Sequence, residues 1–159
     1  MRIRIRRTKL KDVNWIKTVF NRRWGGDFIV TRGKSHKPET LDGFIAEVDG
    51  EKRGLITFKV ASDGIEIVSL DSFLKKRGIG TKLISRIMSL AKAQKIRRVW
   101  LITTNDNLNA LGFWQKRGFC LNKIYPNALE ISRKLKPGIP FTGEDNIPLR
   151  DEIELEIRL

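Results

Sequence analysis

The amino-acid sequence predicts an α/β fold, a mixed central sheet with flanking helices. Residues 43–72 read as three consecutive antiparallel strands, with Asp49-Gly50 at the first turn and Ser62-Asp63-Gly64 at the second. After Gly78-Ile79-Gly80 the apolar positions change from a period of two to helical spacing. They then fuse into Val99-Trp100-Leu101-Ile102, apolar at every position. Size agrees with this. The chain has 159 residues, one domain by the usual prior. A chain of that length buries roughly 68–70% of its unfolded surface without a disulfide or metal staple.

The elements follow in order. Ile3 and Ile5 alternate with Arg2, Arg4 and Arg6, a half-buried first strand. Val13, Ile16 and Phe20 fall at helical spacing, so residues 10–24 are expected to be an amphipathic helix ended by Gly25-Gly26. Phe28-Ile29-Val30 is a short extended piece before a polar loop at 31–40. Leu83, Ile84, Ile87, Met88 and Ala91 form one wide face of a helix running to about Lys95. The apolar run that follows is expected to be a strand covered on both faces and parallel to strand 65–72, because a helix joins the two. Residues 107–117 read as a further helix and Phe119–Tyr125 as a strand. The segment 126–150 holds four of the five prolines and reads as an insertion with one helix at 128–135. Loops as long as 136–150 are often lids or binding loops. Residues 152–159 alternate strictly, a terminal strand.

Composition narrows the function. No apolar run reaches the ~18 residues of a membrane helix. The N-terminus has no apolar segment of the secretory kind, so a soluble, cytoplasmic protein without a membrane partner is expected. Cys120 is the one cysteine, which excludes an intrachain disulfide and a thiolate metal cluster, and no metal site is expected. Cys120 reads as a buried, inert thiol within a strand. His36, the one histidine, lies in a polar stretch and reads as a solvated loop residue, with no Gly-x-Ser-x-Gly elbow to pair with it.

The net charge is +14, and it is uneven. Residues 144–159 carry six acids and two bases, leaving 30 bases and 12 acids in residues 1–143, a local net of +18. Such a field attracts polyanions, either nucleic acid or a phosphorylated cofactor. It repels polycations.

The stretch Lys75-Lys76-Arg77-Gly78-Ile79-Gly80-Thr81 between a strand and a helix is the informative motif. Unpaired N–H groups and the positive dipole end converge at a helix start. Two glycines let a phosphate approach that backbone, and three cations add attraction. It is neither a Walker loop nor a dinucleotide fingerprint. The segment resembles the acetyl-coenzyme A signature of the GNAT superfamily of N-acetyltransferases, Gln/Arg-x-x-Gly-x-Gly/Ala. Asn107 to Phe119 is similar to that family's Asn-x-x-Ala-x-x-Phe/Leu-Tyr-x-x-x-Gly-Phe element. The two resemblances and the element order cover roughly residues 1–125. They imply a GNAT-like acyl-CoA N-acyltransferase fold whose parallel strands splay to admit acetyl-CoA.

By the same resemblance, backbone groups around Leu70, Asp71 and Ser72 would pair with the pantetheine arm. Amides of Lys75, Lys76, Arg77, Gly78, Ile79, Gly80 and Thr81 would hold the pyrophosphate. Asn107 would hydrogen-bond the arm, or simply cap its helix. Phe113 and Trp114 would line the channel near the thioester. The implied activity is direct transfer of an acetyl group to a primary amine, on a small molecule or a protein, in a ternary complex. Alternatives are a cofactor-binding module with weak catalysis and a nucleic-acid-associated protein; the assembly is a monomer or homodimer.

Trp114 stands where the family often has a tyrosine that protonates the departing thiolate, and an indole has no useful acidity. A thiol of pKa about 8.5 is already a fair leaving group. Tyr125, the one tyrosine, is the phenolic alternative. A lysine-type amine of pKa ~10.4 needs a base at neutral pH. Glu66, acting directly or through water, is the candidate, with Asp71 and Glu152 as alternatives. Acceptor specificity is expected in loop 31–40 and in the Pro-rich segment.

Overall fold

A computed structural model describes residues 1–159. Strand β1 (Ile3–Arg7) leads through a 3-10 turn at Leu10–Asp12 into helix α1 (Val13–Trp24), which ends on Gly25 in the left-handed conformation. Strands β2 (Ile29–Thr31) and β3 (Lys34–His36) form a separate hairpin. Strands β4 (Asp42–Val48), β5 (Glu51–Ala61) and β6 (Gly64–Ser72) are the predicted antiparallel trio. Then come helix α2 (Ile79–Ala93), strand β7 (Arg98–Thr104), helix α3 (Leu108–Gln115), strand β8 (Cys120–Tyr125), helix α4 (Ala128–Leu135) and strand β9 (Glu152–Arg158). No helix is long and apolar enough to cross a membrane.

The seven-stranded sheet has the order β1-β4-β5-β6-β7-β9-β8. All its neighbours are antiparallel except β6 and β7, the crossover pair. Each face has its own core, as alternating side chains require. Ile56, Phe58, Ile65 and Ile67 pack with Val99, Leu101 and Leu155 beneath α2, whose Leu83, Ile87 and Ala91 are fully buried. On the opposite face, Ile45, Leu55 and Val68 meet Ile16, Val19 and Phe20 of α1 and Ile29 of the hairpin. Gly54 sets the height of α2 over the sheet: a Cβ there would lie 2.5 Å from Ile79 Cγ2.

The sheet opens in one place. β6 and β7 pair only from Ile65↔Val99 to Ile67↔Leu101, although the strands run on to Ser72 and Thr104. The break has a local cause. Thr57 faces Ser69 and Phe58 faces Ile67, so Val68 is an extra residue in β6. Such a bulge bends its strand away from the neighbour, and the edge of β6 beyond Ile67 is left without a partner on the β7 side.

Four expectations are corrected. Loop 31–40 contains the β2–β3 hairpin, whose turn residues Arg32 and Gly33 both have positive φ (50° and 70°), the type I′ geometry of two-residue hairpins. His36 is therefore not a solvated loop residue; it lies in β3 opposite Ile29 and is 2% exposed. Cys120 is exposed, because β9 inserts between β7 and β8 and leaves β8 as the outer edge. Strand 99–102 is buried on one face only: Val99 and Leu101 are inside, while Trp100 and Ile102 are half-buried. The Pro-rich segment is also tied down. Arg133 donates to the carbonyls of Ile139, Pro140 and Leu149, and Lys136 Nζ donates to those of Trp24 (2.6 Å) and Phe28 (2.7 Å).

Candidate active site

The splay between β6 and β7 is the floor of a cleft of about 710 Å³. At one end, Gly78 precedes α2 in the left-handed conformation with φ 71°, where a Cβ would be strained. The first intrahelical bond runs from Lys82 N–H to Gly78 C=O, and no side chain caps the helix. The N–H groups of Ile79, Gly80 and Thr81 thus have no partner within the chain. Packing does not demand glycine at 80, since a Cβ would meet only Phe113 at 3.5 Å and Leu70 at 3.8 Å. Lys75, Lys76 and Arg77 are exposed and enter no ion pair. Orphan donors, a dipole end and three free cations make a good seat for a pyrophosphate.

All thirteen residues expected to hold the cofactor line this one cleft: Leu70, Asp71, Ser72, the run Lys75 to Thr81, Asn107, Phe113 and Trp114. The Asn107 side-chain carbonyl accepts from Ala110 N–H at 3.1 Å, so it does cap α3, and its amide N–H₂ has no partner in the chain. Phe113 is covered by the Arg117 guanidinium, 3.5 Å from its centroid, and Arg117 also reaches Thr81 Oγ1 at 3.4 Å. Trp114 is 6% exposed and packs edge-on against Phe113 and Phe119. Trp114 belongs to the core and Phe113 packs against it, and both side chains line the cleft.

The two catalytic candidates lie elsewhere. Tyr125 does not line the cleft: its hydroxyl donates to Glu154 Oε1 at 2.9 Å, and the Arg32 guanidinium sits 3.4 Å over its ring. Burial, then that bond to Glu154, push the phenol pKa up. Glu66 stands one residue before Ile67, the first β6 residue of the wall. It is 9% exposed, and Thr31 Oγ1 donates to its Oε2 at 2.8 Å. Burial raises its pKa, against the lowering effect of the Thr31 bond. Trp100, opposite Glu66 in register, carries the chain's one buried side-chain donor without a partner, its indole N–H. Glu152 is 2% exposed, takes the Arg32 N–H on both oxygens, and is raised by burial.

Sequence reasoning missed the opposite mouth. Asp71 turns its side chain towards α1, where Trp24 Nε1 donates to Oδ2 at 3.0 Å, and Arg23 and Trp24 join the lining. Burial raises the Asp71 pKa. Glu144 reaches the cleft from the Pro-rich segment, its N–H held by Asp106 at 2.9 Å. The only sequence signal for this mouth was the unusual segment itself.

Over residues 13–119 the chain matches the sequence profile of the Acetyltransferase (GNAT) family. The chain belongs to that family. It is 39% identical over 141 residues to the uncharacterized protein YxbD of Bacillus subtilis (strain 168), across 88% of this chain and 89% of that protein. Solved GNAT-fold structures superpose along nearly the whole length. A Bacillus subtilis acetyltransferase in complex with CoA does so with a TM-score of 0.71, 19% identity and 99% coverage of each chain. A GNAT family acetyltransferase from Elizabethkingia anophelis with acetyl-CoA bound gives 0.69 at 19% identity, covering 99% of this GNAT chain and 98% of that one.

Proposed function

We propose that the protein transfers an acetyl group from acetyl-CoA to a primary amine by direct attack in a ternary complex. One observation carries the reading. The unpaired N–H groups of Ile79 to Thr81, the free cations beside them and the open edge of β6 all belong to one cleft that passes through the sheet. Bound there, acetyl-CoA supplies an activated thioester. The chain's part is to seat the diphosphate on α2, lay the arm along β6 and admit the amine from the side of Trp24 and Asp71.

The amine must lose a proton to attack, and Glu66 is the group assigned to take it. Its neighbour Trp100 offers an indole N–H with no protein partner. That pair would hold the water through which the proton reaches Glu66. No phenol is required, because a thiolate of pKa about 8.5 leaves acceptably without one, and Tyr125 is engaged by Glu154.

Calorimetric titration with acetyl-CoA at near-physiological salt, with ATP and a short RNA as anionic controls, tests the reading. Selective binding of acetyl-CoA, followed by thiol release with primary amines, is the expected result. Binding no tighter than that of the controls would overturn it and make a polyanion the partner.

A further inference from the structure

Three buried polar side chains stand in a row that ends at Glu66, the residue before the cleft-lining Ile67. Thr31 is 6% exposed, His36 2% and Glu66 9%. His36 Nε2 lies 2.7 Å from Thr31 Oγ1, and Thr31 Oγ1 lies 2.8 Å from Glu66 Oε2. No Lys or Arg forms an ion pair with Glu66. Burying such groups is costly without hydrogen bonds, and here Thr31 and His36 of the β2–β3 hairpin bond each other while Thr31 also bonds Glu66 of β6.

The chemistry gives the row a direction. An ionised carboxylate only accepts, so the single hydroxyl hydrogen of Thr31 must point at Glu66. Thr31 Oγ1 is then an acceptor towards His36, which requires the tautomer with hydrogen on Nε2. Burial first, then the charges of Lys59 and Lys34, depress the His36 pKa to about 4, so the ring stays neutral near pH 7. Oε2 of Glu66 is occupied, whereas Oε1 has no partner within the chain.

We propose that Thr31 and His36 are positioning residues for Glu66, holding Oε2 in one orientation so that Oε1 alone receives the proton. This rests on the reading of Glu66 as the base. It extends a general logic, a base oriented by a third group, one link further. Proton uptake leaves the row intact: with hydrogen on Oε1, Oε2 still accepts from Thr31. The other charges acting on Glu66 are Lys34 on β3, Lys59 on β5 and Asp63 in the β5–β6 turn.

The test is a carbon-13 NMR titration of the full chain labelled at the glutamate carboxyl carbon, with the Glu66 signal assigned from its loss in Glu66→Gln. Thr31→Val is near-isosteric and should move the Glu66 midpoint up by about one pH unit, as loss of a bond to a carboxylate does. His36→Leu should move it the same way by less. Thr31→Ser and His36→Gln, whose amide donates from nearly the position of Nε2, should leave it at the wild-type value. Retained acetyl-CoA binding shows that each variant is folded. An unmoved midpoint in Thr31→Val, or His36→Gln behaving like His36→Leu, would overturn the proposal. Acetyl-CoA hydrolysis by Glu66→Gln is read separately. If that rate and its acid limb match wild type, Glu66 is not the base, whatever the titration shows.

Discussion

Replacing Trp24 by phenylalanine isolates the bond that makes a buried carboxylate tolerable at the α1 end of the cleft. Asp71 is 8% exposed and has one protein hydrogen-bond partner for its carboxylate, Trp24 Nε1 at 3.0 Å. The indole itself is 37% exposed, so its loss removes little packing. A hydrogen bond to a charged group contributes about 1.5–3 kcal/mol, and that is the expected loss of stability at pH 7. The sign with pH follows from linkage. Asp71 holds its proton to higher pH folded than unfolded, because burial raises its pKa. Its contribution is therefore most favourable below the unfolded value and declines as pH rises through the folded one. Trp24→Phe raises the folded pKa further and extends that decline. Urea unfolding at pH 7 and at about pH 4, near the unfolded carboxyl pKa, reads the difference, which should shrink to a few tenths of a kcal/mol at the acid pH. An equal loss at both values would show that Trp24 stabilises by packing and that the Asp71 bond contributes nothing.

The free cations give a second expectation. Exchanging Lys75, Lys76 and Arg77 together for alanine should weaken acetyl-CoA binding roughly tenfold or more at low salt. Their contribution should fade as salt rises, because exposed charges are screened; a loss independent of salt in calorimetry would contradict this. A third concerns the fold. Asp12 is fully buried, receives two bonds from Arg6 (2.8 and 2.9 Å), lies 3.1 Å from Lys52, and accepts from Lys9 N–H. The Arg6 bonds hold its pKa well below the usual carboxylate range. Asp12→Asn should cost about 3–5 kcal/mol at pH 7. Its contribution is present above the unfolded pKa and is lost as pH falls through the folded one. The variant's stability should therefore fall less steeply with acid than wild type in a denaturant series.

What could be read in advance follows from how local the signals are. The β4–β6 trio, α2 and the parallel β7 were legible because turn residues and apolar period are written in adjacent positions. The end of the cleft at the start of α2 was legible for the same reason: Lys75 to Thr81 is one continuous stretch. The hairpin at 29–36 was not. Its strands are three residues each, and Lys34-Ser35-His36 is polar. Thr31 bonds His36 across the hairpin, but Glu66, which Thr31 also bonds, lies 30 residues downstream of His36, beyond the reach of any pattern within loop 31–40. The exposure of Cys120 follows from the placement of β9, a topological fact invisible in the residues of β8. Asp71 is expected to meet the arm through its backbone and is an alternative base, but the bond that turns its side chain to Trp24 joins residues 47 apart and leaves no local signal.

The insertion of β9 also orders events in time. Synthesis delivers β7 and β8 before the strand that joins them, so during translation β7 keeps one bare edge and β8 has no neighbour in the sheet. Bare edges invite pairing with other chains, and long-range pairings form late. The half of the sheet that carries one wall of the cleft therefore closes only after residues 152–158 have been made. A nascent chain stalled before them would hold the uncapped start of α2 next to a wall that is not yet anchored.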